Sequence, residues 1–398
     1  MRISTLTMFD QSVSSLHRQQ SAFLKVGQQI ASGRRVLNPS DDPQAASLAL
    51  GVSQSLAMTQ QYMDARVSAR NSLSQEESIL NSISGAIASA KTLVVQAANG
   101  TLSDADRSSV ATELRGILET VLGQANATDG NGRYLFGGYQ DSSPPFERNA
   151  SGAVYHGDTN NRELRIDSSR LMGVADNGVE IFQSVHSSAG YVARADTDNA
   201  GSVTFIGPSV IDAGDPDYGN NFEITFAVDG GGNISYSIDG GPDTTYQPGQ
   251  PITFGGLSLS LEGVPADGDS IAVGPAGEMD PDLFATLQNI IDVLESPAQT
   301  ASDKARLRNT LNTSMRELDN SLDNVLTVRA SVGAKLNELD AVDGVGSNRI
   351  LNYRQTLSDL VDLDLVEALS EYSLRQVGLQ AAQKTFIGLS DLSLFKLI

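Results

Sequence analysis

The chain contains no cysteine and no tryptophan among its 398 residues. Without cysteine it has no disulfide, no thiolate ligand for a metal and no cysteine nucleophile. A cysteine-free chain suits a reducing or an oxidising compartment equally well, so composition leaves the compartment open. The only histidines are His17, His156 and His186, and they lack the spacing of a zinc-binding motif. We therefore expect no enzyme, no metal site and no cofactor.

Basic residues are scarce, because 27 lysines and arginines stand against 48 aspartates and glutamates, a formal net charge of −21. A nucleic-acid-binding protein needs a basic surface that displaces counterions from phosphate. An anionic membrane surface attracts the same kind of basic segment. We therefore expect neither nucleic acid nor a membrane as a partner, and any self-assembly must rest on apolar contacts rather than charge attraction.

Long apolar runs are also missing. No window approaches about 18 uncharged apolar residues, which predicts no membrane span. The first residues, MRISTLTMFDQSVSS, lack the apolar core of a secretory signal peptide. Taken alone, these features predict a cytoplasmic protein.

The N-terminal part of the chain is predicted to be helical. From Phe9 to Ile30, apolar residues recur at alternating intervals of four and three, and Gly33 suits a helix end. A second helix is predicted to begin at Pro43 and to continue to Asn99, with Glu76 as the one polar member of its apolar face. Ser103 and Asp106 then have the spacing of a capping box, which predicts the start of a third helix.

The middle of the chain has the pattern of short strands and glycine-rich turns. Residues 221–241 alternate apolar and polar side chains on both sides of a glycine turn, which is typical of a β-hairpin. Other segments with strand character are 134–139, 163–167, 251–263 and 270–274. This pattern predicts a β-rich inserted domain of undetermined topology, for which a small-molecule or glycan ligand stays open.

Helical periodicity returns near the C-terminus. A helix is predicted to begin at Asp280-Pro281, and a longer one at Ser302. The sequence DGVGSN (343–348) predicts a break before a last helix that runs nearly to the end. That last helix carries apolar residues on two faces, which predicts neighbours on more than one side.

Together these patterns predict an α+β fold. Helices from both chain ends form a long antiparallel rod, a coiled-coil-like bundle, into which the β-rich domain is inserted. Three parts are expected: an inner, axial domain of residues 1–42 with 349–398, a helical rod of 43–139 with 278–348, and an outer domain of 140–277.

A connector joins the first two predicted helices, and its sequence is SGRRVLNPSDDPQAASLAL (32–50). Asp41 and Asp42 would need further ligands to hold a metal, and none is evident. They are good N-cap residues ahead of Pro43, so the connector predicts helix capping rather than a metal site. Local chemistry explains Arg34 and Arg35 only as solvated arginines near a helix C-terminus, where the dipole favours them.

This connector, preceded by an amphipathic helix, resembles the signature of the bacterial flagellin-like family. The start MRISTLTMFD, the segment YLFGGYQD (134–141) and the end LQAAQKTFIGLSDLSLFKLI (379–398) are more similar to its hook-associated members than to flagellin itself. The resemblance covers the helical regions at both ends and leaves out the strand-rich region.

The resemblance implies a structural subunit of the junction between the flagellar hook and filament, with its terminal helices paired along the flagellar axis. It implies type III export without a cleaved signal peptide, so an extracellular location replaces the cytoplasmic expectation. The implied partners are further copies of the chain in a ring-like homo-oligomer, a second hook-associated protein on the hook side, flagellin on the filament side, and an export chaperone that binds the C-terminal region.

Assembly is expected to proceed through packing of the terminal helices, within and between subunits, and Arg34 and Arg35 become candidates for contacts to acidic neighbouring subunits. The residues expected to carry it are Phe9, Val13, Leu16, Phe23, Ile30, Leu365, Leu369, Tyr372, Leu379, Phe386 and Leu389. Because isolated helices of this length are marginal, we also expect residues 1 to about 40 and about 350 to 398 to be disordered in the free monomer.

Two other functions stay open. A flagellin would share this fold and polymerise into the whole filament. A secreted coiled-coil adhesin or effector would use the β-rich domain as its binding module.

Overall fold

The structure is a computed structural model that describes residues 5–394, and the side chains of residue 7 and of residues 9–388. Its helices are α1 (Thr5–Ser32), α2 (Pro43–Ala97), α3 (Asp104–Ala125), α4 (Gly178–Phe182), α5 (Leu283–Glu295), α6 (Ala301–Val361) and α7 (Leu365–Leu394). All strands lie between α3 and α5. The predicted α+β class, with long helices from both chain ends and a β-rich insertion, is confirmed.

Several predicted helix boundaries are confirmed by the backbone. Helix α1 ends at Ser32, and Gly33 adopts a left-handed φ of +70°, a conformation that glycine reaches without steric penalty. Helix α2 begins at Pro43. The capping box before α3 is present, since the Ser103 side chain accepts from the Asp106 N–H and the Asp106 side chain accepts from the Ser103 N–H.

Three predicted features are wrong. Helix α6 continues through 343–348 and ends at Val361, because a glycine in a helix costs only about 1 kcal/mol and packing can offset it. The N-cap of α5 is Asp282 rather than Asp280, since Asp280 has a positive φ of 48° that a helix start cannot use. Residues 134–139 form turns rather than a strand.

The chain forms two compact units, Met1–Asp64 with Ala341–Ile398, and Ala65–Asp340. Division into three domains at the predicted boundaries stays a prediction. In the second unit, α2 and α6 run antiparallel. The ion pairs that show this order are Arg70 with Asp340, Glu77 with Arg329, and Lys91 with Asp319.

The strands are β1 (Phe146–Asn149), β2 (Gly152–Tyr155), β3 (Arg162–Asp167), β4 (Arg170–Ala175), β5 (Tyr191–Ala195), β6 (Thr204–Val210), β7 (Phe222–Val228), β8 (Ile234–Ile238), β9 (Thr244–Thr245), β10 (Pro251–Phe254), β11 (Leu257–Glu262) and β12 (Ser270–Pro275). Strands β1–β2 and β3–β4 form two-stranded sheets. The other strands form a three-stranded sheet of order β10–β11–β6 and a five-stranded sheet of order β5–β12–β7–β8–β9. The hairpin predicted at 221–241 is the antiparallel pair β7–β8.

Two separate apolar cores hold the second unit together. The larger core joins α2, α3, α5 and α6 to the β1–β4 region. At its centre, the Phe182 ring lies 5.3 Å from Phe146, 5.5 Å from Phe284 and 5.7 Å from Phe136, measured between centroids. The smaller core lies wholly within residues 191–273 and is built from the three- and five-stranded sheets.

Helix α2 is the one helix within residues 5–394 that could cross a membrane by length and composition, with a window of mean hydropathy 1.3. The α2 sequence contains no run of 18 uncharged apolar residues, so the sequence-based expectation of no membrane span stays a prediction. A single such helix is weak evidence, because the core helix of a soluble protein qualifies as well. The apolar face of α2, from Ala69 to Val94, is buried in the larger core.

Candidate assembly helices and their connector

The two terminal helices, α1 and α7, pack antiparallel in the first unit. The Phe9 and Phe386 ring centroids lie 5.3 Å apart, and the Phe23 and Tyr372 centroids 4.6 Å apart. Aromatic pairs at such distances stabilise a contact beyond the area they bury. The predicted residues Phe9, Phe23, Tyr372 and Phe386 are thus brought together in pairs by this structure.

The buried centre of this helix pair includes residues that the sequence pattern did not indicate. Val26 is 5% exposed and Ala368 is 4% exposed. Ala368 lies four positions before Tyr372, one helical turn away on the same face of α7. Helix α1 therefore packs on the face of α7 that contains Ala368 rather than the face that contains Leu369. The four-three spacing of Ala368, Tyr372 and Leu379 indicates the same face, but the larger apolar side chain of Leu369 favoured the neighbouring face.

Most other predicted assembly residues are only partly covered within one chain. Leu365 and Leu369 are exposed at 53% and 48%. The half-buried members of the set are Val13, Leu16, Ile30 and Leu379. The side chain of Leu389 lies outside the described residues. The helix pair therefore leaves a large part of its apolar surface in contact with solvent.

A second face of α7 is exposed and apolar, as predicted from its sequence. Val366, Leu374 and Val377 are 77%, 73% and 64% exposed. Contiguous exposed apolar surface of this kind marks sites of interaction with other proteins.

The connector is held to the end of α6 by backbone hydrogen bonds. Arg34 pairs with Asp362 in an antiparallel bridge. The Arg35 N–H donates to the Val361 carbonyl at 2.8 Å, and the Leu363 N–H donates to the Gly33 carbonyl at 3.0 Å. This pairing places the α1–α2 connector beside the α6–α7 break, a relationship that joins both halves of the first unit.

Arg35 binds within its own chain through two nitrogens. Its Nη2 donates to the Leu360 carbonyl at 2.7 Å, and its Nη1 lies 3.1 Å from Asp42 Oδ2. The side-chain amide of Gln29 donates to the Arg35 carbonyl at 2.6 Å. Arg35 is therefore engaged in closing the connector, whereas the exposed Arg34 is the more available for contact with another subunit.

Asp42 is the N-cap of α2. Its Oδ1 accepts from the Ala45 N–H at 3.0 Å, and Pro43 occupies the first helical position, an arrangement that satisfies a backbone donor left free at the helix start. The hydrogen bond from Ala45, together with the Arg35 guanidinium, lowers the pKa of Asp42 below its usual 3.8. The predicted capping role of Asp42 is confirmed.

Asp41 does not cap the helix. Its Oδ2 instead accepts from the N–H groups of Leu37 and Asn38, at 3.2 and 3.0 Å, and its Oδ1 lies 2.8 Å from Lys25 Nζ. The Lys25 ammonium, then the Asn38 N–H, lowers the pKa of Asp41. Asp41 therefore folds the connector and ties it to α1, which corrects its prediction as a second cap.

Metal binding finds no support in the described part of the chain, where no group of three or more histidines and carboxylates is placed to hold an ion. The connector carboxylates are occupied by backbone N–H groups and by Lys25 and Arg35. The arrangement is suited to holding two helix junctions together.

Comparison with known proteins places these features in context. Residues 3–141 match the family model described as the bacterial flagellin N-terminal helical region. Over 398 residues the chain is 34% identical to the flagellar hook-associated protein 3 of Salmonella typhimurium strain LT2, and the match covers 100% of this chain and 99% of that relative.

Two solved structures have folds similar to that of this chain. The crystal structure of flagellar hook-associated protein 3 from Legionella pneumophila has a TM-score of 0.69 and 28% identity, covering 78% of this chain and 98% of that one. The crystal structure of the flagellar junction protein FlgL from Legionella pneumophila has a TM-score of 0.65 and 27% identity, covering 79% of this chain and all of that one, 100%.

Proposed function

Because this chain belongs to the flagellar hook-associated protein 3 family and is a structural subunit of the hook–filament junction, we propose that its terminal helices hold that junction together by packing. The observation that carries this mechanism is the apolar surface that the α1–α7 pair leaves uncovered. Val366, Leu374 and Val377 have no apolar cover from α1, which packs on the stripe through Ala368 and Tyr372.

The energetics favour burial of this face against neighbouring subunits. Each of these side chains contributes about 1.5–3 kcal/mol when it moves from full exposure to full burial. The high net negative charge of the chain, −21, opposes association at long range, so a specific apolar contact has to overcome it. Helix α7 would bury its face and overcome this repulsion if it packs one apolar stripe on α1 of its own chain and a second stripe on a neighbouring subunit.

We propose that the implied partners cover this exposed face. Further copies of this chain in a ring-like homo-oligomer would cover the exposed face of α7, with a second hook-associated protein on the hook side and flagellin on the filament side. Before assembly, an export chaperone would cover the same C-terminal face. The exposed Arg34 would be the connector residue that contacts an acidic neighbour, and its exposure supports this.

The route of the subunit to the cell exterior is proposed to be the flagellar type III channel, without cleavage of a signal peptide. Passage through a channel is easier for chain ends that fold late. Among the described side chains of residues 1 to about 40 and about 350 to 398, the buried apolar residues are Val26, Val36, Ile350 and Ala368, which is little to stabilise isolated helices. Hydrogen exchange on the purified monomer tests this. Fast exchange at both ends is expected, and strong protection there would reject late folding.

Labelling the protein on intact flagella tests the proposed location. A narrow band at the hook end of each filament is expected. Label along the whole filament would indicate a flagellin instead, and normal filaments in cells that lack the gene would indicate a secreted adhesin or effector.

A further inference from the structure

Glu76 lies on the buried apolar face of α2. Its neighbours on this face, Leu73 and Leu80, are fully buried, and Glu76 itself is 0% exposed. Removing a carboxylate from water is costly unless it is paired with a positive charge and its oxygens accept hydrogen bonds. The junction mechanism makes no use of this residue.

The contacts of Glu76 do not compensate a negative charge. Its Oε1 accepts one hydrogen bond, from the Asp176 N–H at 3.2 Å, whereas its Oε2 has no hydrogen-bond partner among the described residues. The positive charge that acts on it, Lys335 of α6, is bound to both oxygens of the Asp176 carboxylate at 2.8 and 3.1 Å. One ammonium therefore faces two buried carboxyl groups and pairs with only one of them.

Other charged groups around the site do not change this balance. Glu180 of α4 adds a further negative charge. On α2 the neighbouring Glu77 pairs with Arg329 of α6 at 2.8 Å, so that arginine is engaged elsewhere. Burial, followed by the negative charge of Asp176, raises the pKa of Glu76 to about 8.

Glu76 holds the chain where strand β4 passes into helix α4. Asp176 lies between β4 and α4, and the Glu76 carboxyl accepts its backbone N–H. We name residues 162–182, which comprise β3, β4 and α4, the docked segment. Other contacts hold its two ends, since Arg66 donates to the Ile166 carbonyl at 2.8 Å and Asn324 to the Glu180 carbonyl at 2.8 Å.

We propose that Glu76 is a proton-dependent attachment point, neutral while the docked segment is packed against α2 and α6 and charged when this segment opens. Loss of the proton places two carboxylates and one ammonium in the same buried space. Water must then reach Glu76, and it does so through displacement of the chain around Asp176. The ends of the segment stay bound, so the opening is local.

Hydrogen exchange of the full-length chain at pH 6 and pH 9, corrected for the intrinsic pH dependence of exchange, tests the proposal. In the wild type, amides of residues 171–182 are expected to lose about a hundredfold in protection between pH 6 and pH 9. The open state is already charged at pH 6, so protection falls about tenfold per pH unit until the pH reaches the folded-state pKa of about 8. Glu76→Gln keeps a neutral side chain and should show equal protection at both pH values. Glu113→Gln, an exposed site on α3, is the matched control and should behave like the wild type.

Infrared spectroscopy supplies a second measurement that does not depend on how well the variant folds. The wild type should show the carbonyl stretch of a neutral, buried carboxylic acid that disappears as the pH rises through about 8 and is absent from Glu76→Gln. Disappearance of this band near pH 4 to 5, where an ordinary glutamate titrates, would overturn the proposal. Equal protection of residues 171–182 at pH 6 and pH 9 in the wild type would also overturn it.

Discussion

The rings of Phe9 and Phe386 lie 5.3 Å apart, so a residue near the start of the chain packs on one near its end. Phe9 stays 43% exposed within one chain, which means that the pair is only partly shielded from solvent. The contact joins the two chain ends within one chain, and its exposed part is surface that the proposed assembly would cover.

Replacement of Phe386 by aspartate should leave a soluble monomer that does not enter the hook–filament junction. A carboxylate opposite Phe9 would have to be buried without a partner in the assembled structure. The measurement is immunogold labelling of flagella from cells that express only the variant.

The matched control is Gln383→Asp, which introduces the same charge at an exposed position of α7 and should assemble normally. Motile cells with normal filaments that carry Phe386→Asp would contradict the packing mechanism.

Acid should loosen the connector before it affects the cores. The pKa values of Asp41 and Asp42 are lowered in the folded state, so their stabilisation is present above the usual value of 3.8 and is lost as the pH falls through the lowered values. After correction for the intrinsic pH dependence of exchange, the Asn38 and Ala45 amides, which donate to these carboxylates, should lose protection between pH 5 and pH 2.5. In Asp42→Asn, which keeps an acceptor without the charge, the Ala45 amide should lose most of this pH dependence, and an unchanged profile would argue against the assignment.

Truncation of Phe182 should destabilise the second unit strongly. Its ring touches Phe136, Phe146 and Phe284 at the centre of the larger core, and a Phe→Ala change at a buried site costs about 3–5 kcal/mol. Urea denaturation followed by circular dichroism measures the loss. Tyr139→Ala, at a site that is 58% exposed, should change stability by less than about 0.5 kcal/mol. Equal midpoints for the two variants would show that the aromatic cluster is not central.

The side chain of Asn309 on α6 covers the edge formed by strand β6 in the three-stranded sheet. Its amide donates to the Val203 carbonyl at 2.9 Å and accepts from the Phe205 N–H at 3.2 Å, as a neighbouring strand would. Strand β6 is the edge of its sheet, and uncovered edges invite pairing with other chains.

Asn309→Asp replaces the donor with an oxygen that faces the Val203 carbonyl, which should cost about 1–3 kcal/mol. Opening of this edge should also increase self-association, measured by light scattering at increasing protein concentration. Asn352→Asp, at an exposed position of α6, is the control. Identical scattering and stability for the two variants would contradict the edge-covering role.

The sequence alone determined the helices at both chain ends, because their apolar residues repeat with helical spacing and their ends carry proline, glycine and capping residues. Gly33, Pro43 and Ser103 lie at the boundaries that local chemistry predicts. Local chemistry did not predict the continuous α6, since Gly344 and Gly346 suggest a break that helix packing overrides.

Only the tertiary structure decided which side chains meet. Arg35 could not be assigned to Leu360 and Asp42 from its spacing, because Leu360 lies 325 positions away along the chain. Asp41 and Asp42 are adjacent and chemically identical, yet one caps α2 and the other binds Lys25. Glu76 fits the four-three pattern as a tolerated polar residue, and only the folded chain shows that Asp176 lies beside it. Periodicity fixes which face of a helix is buried, whereas the partners on that face depend on contacts between distant parts of the chain.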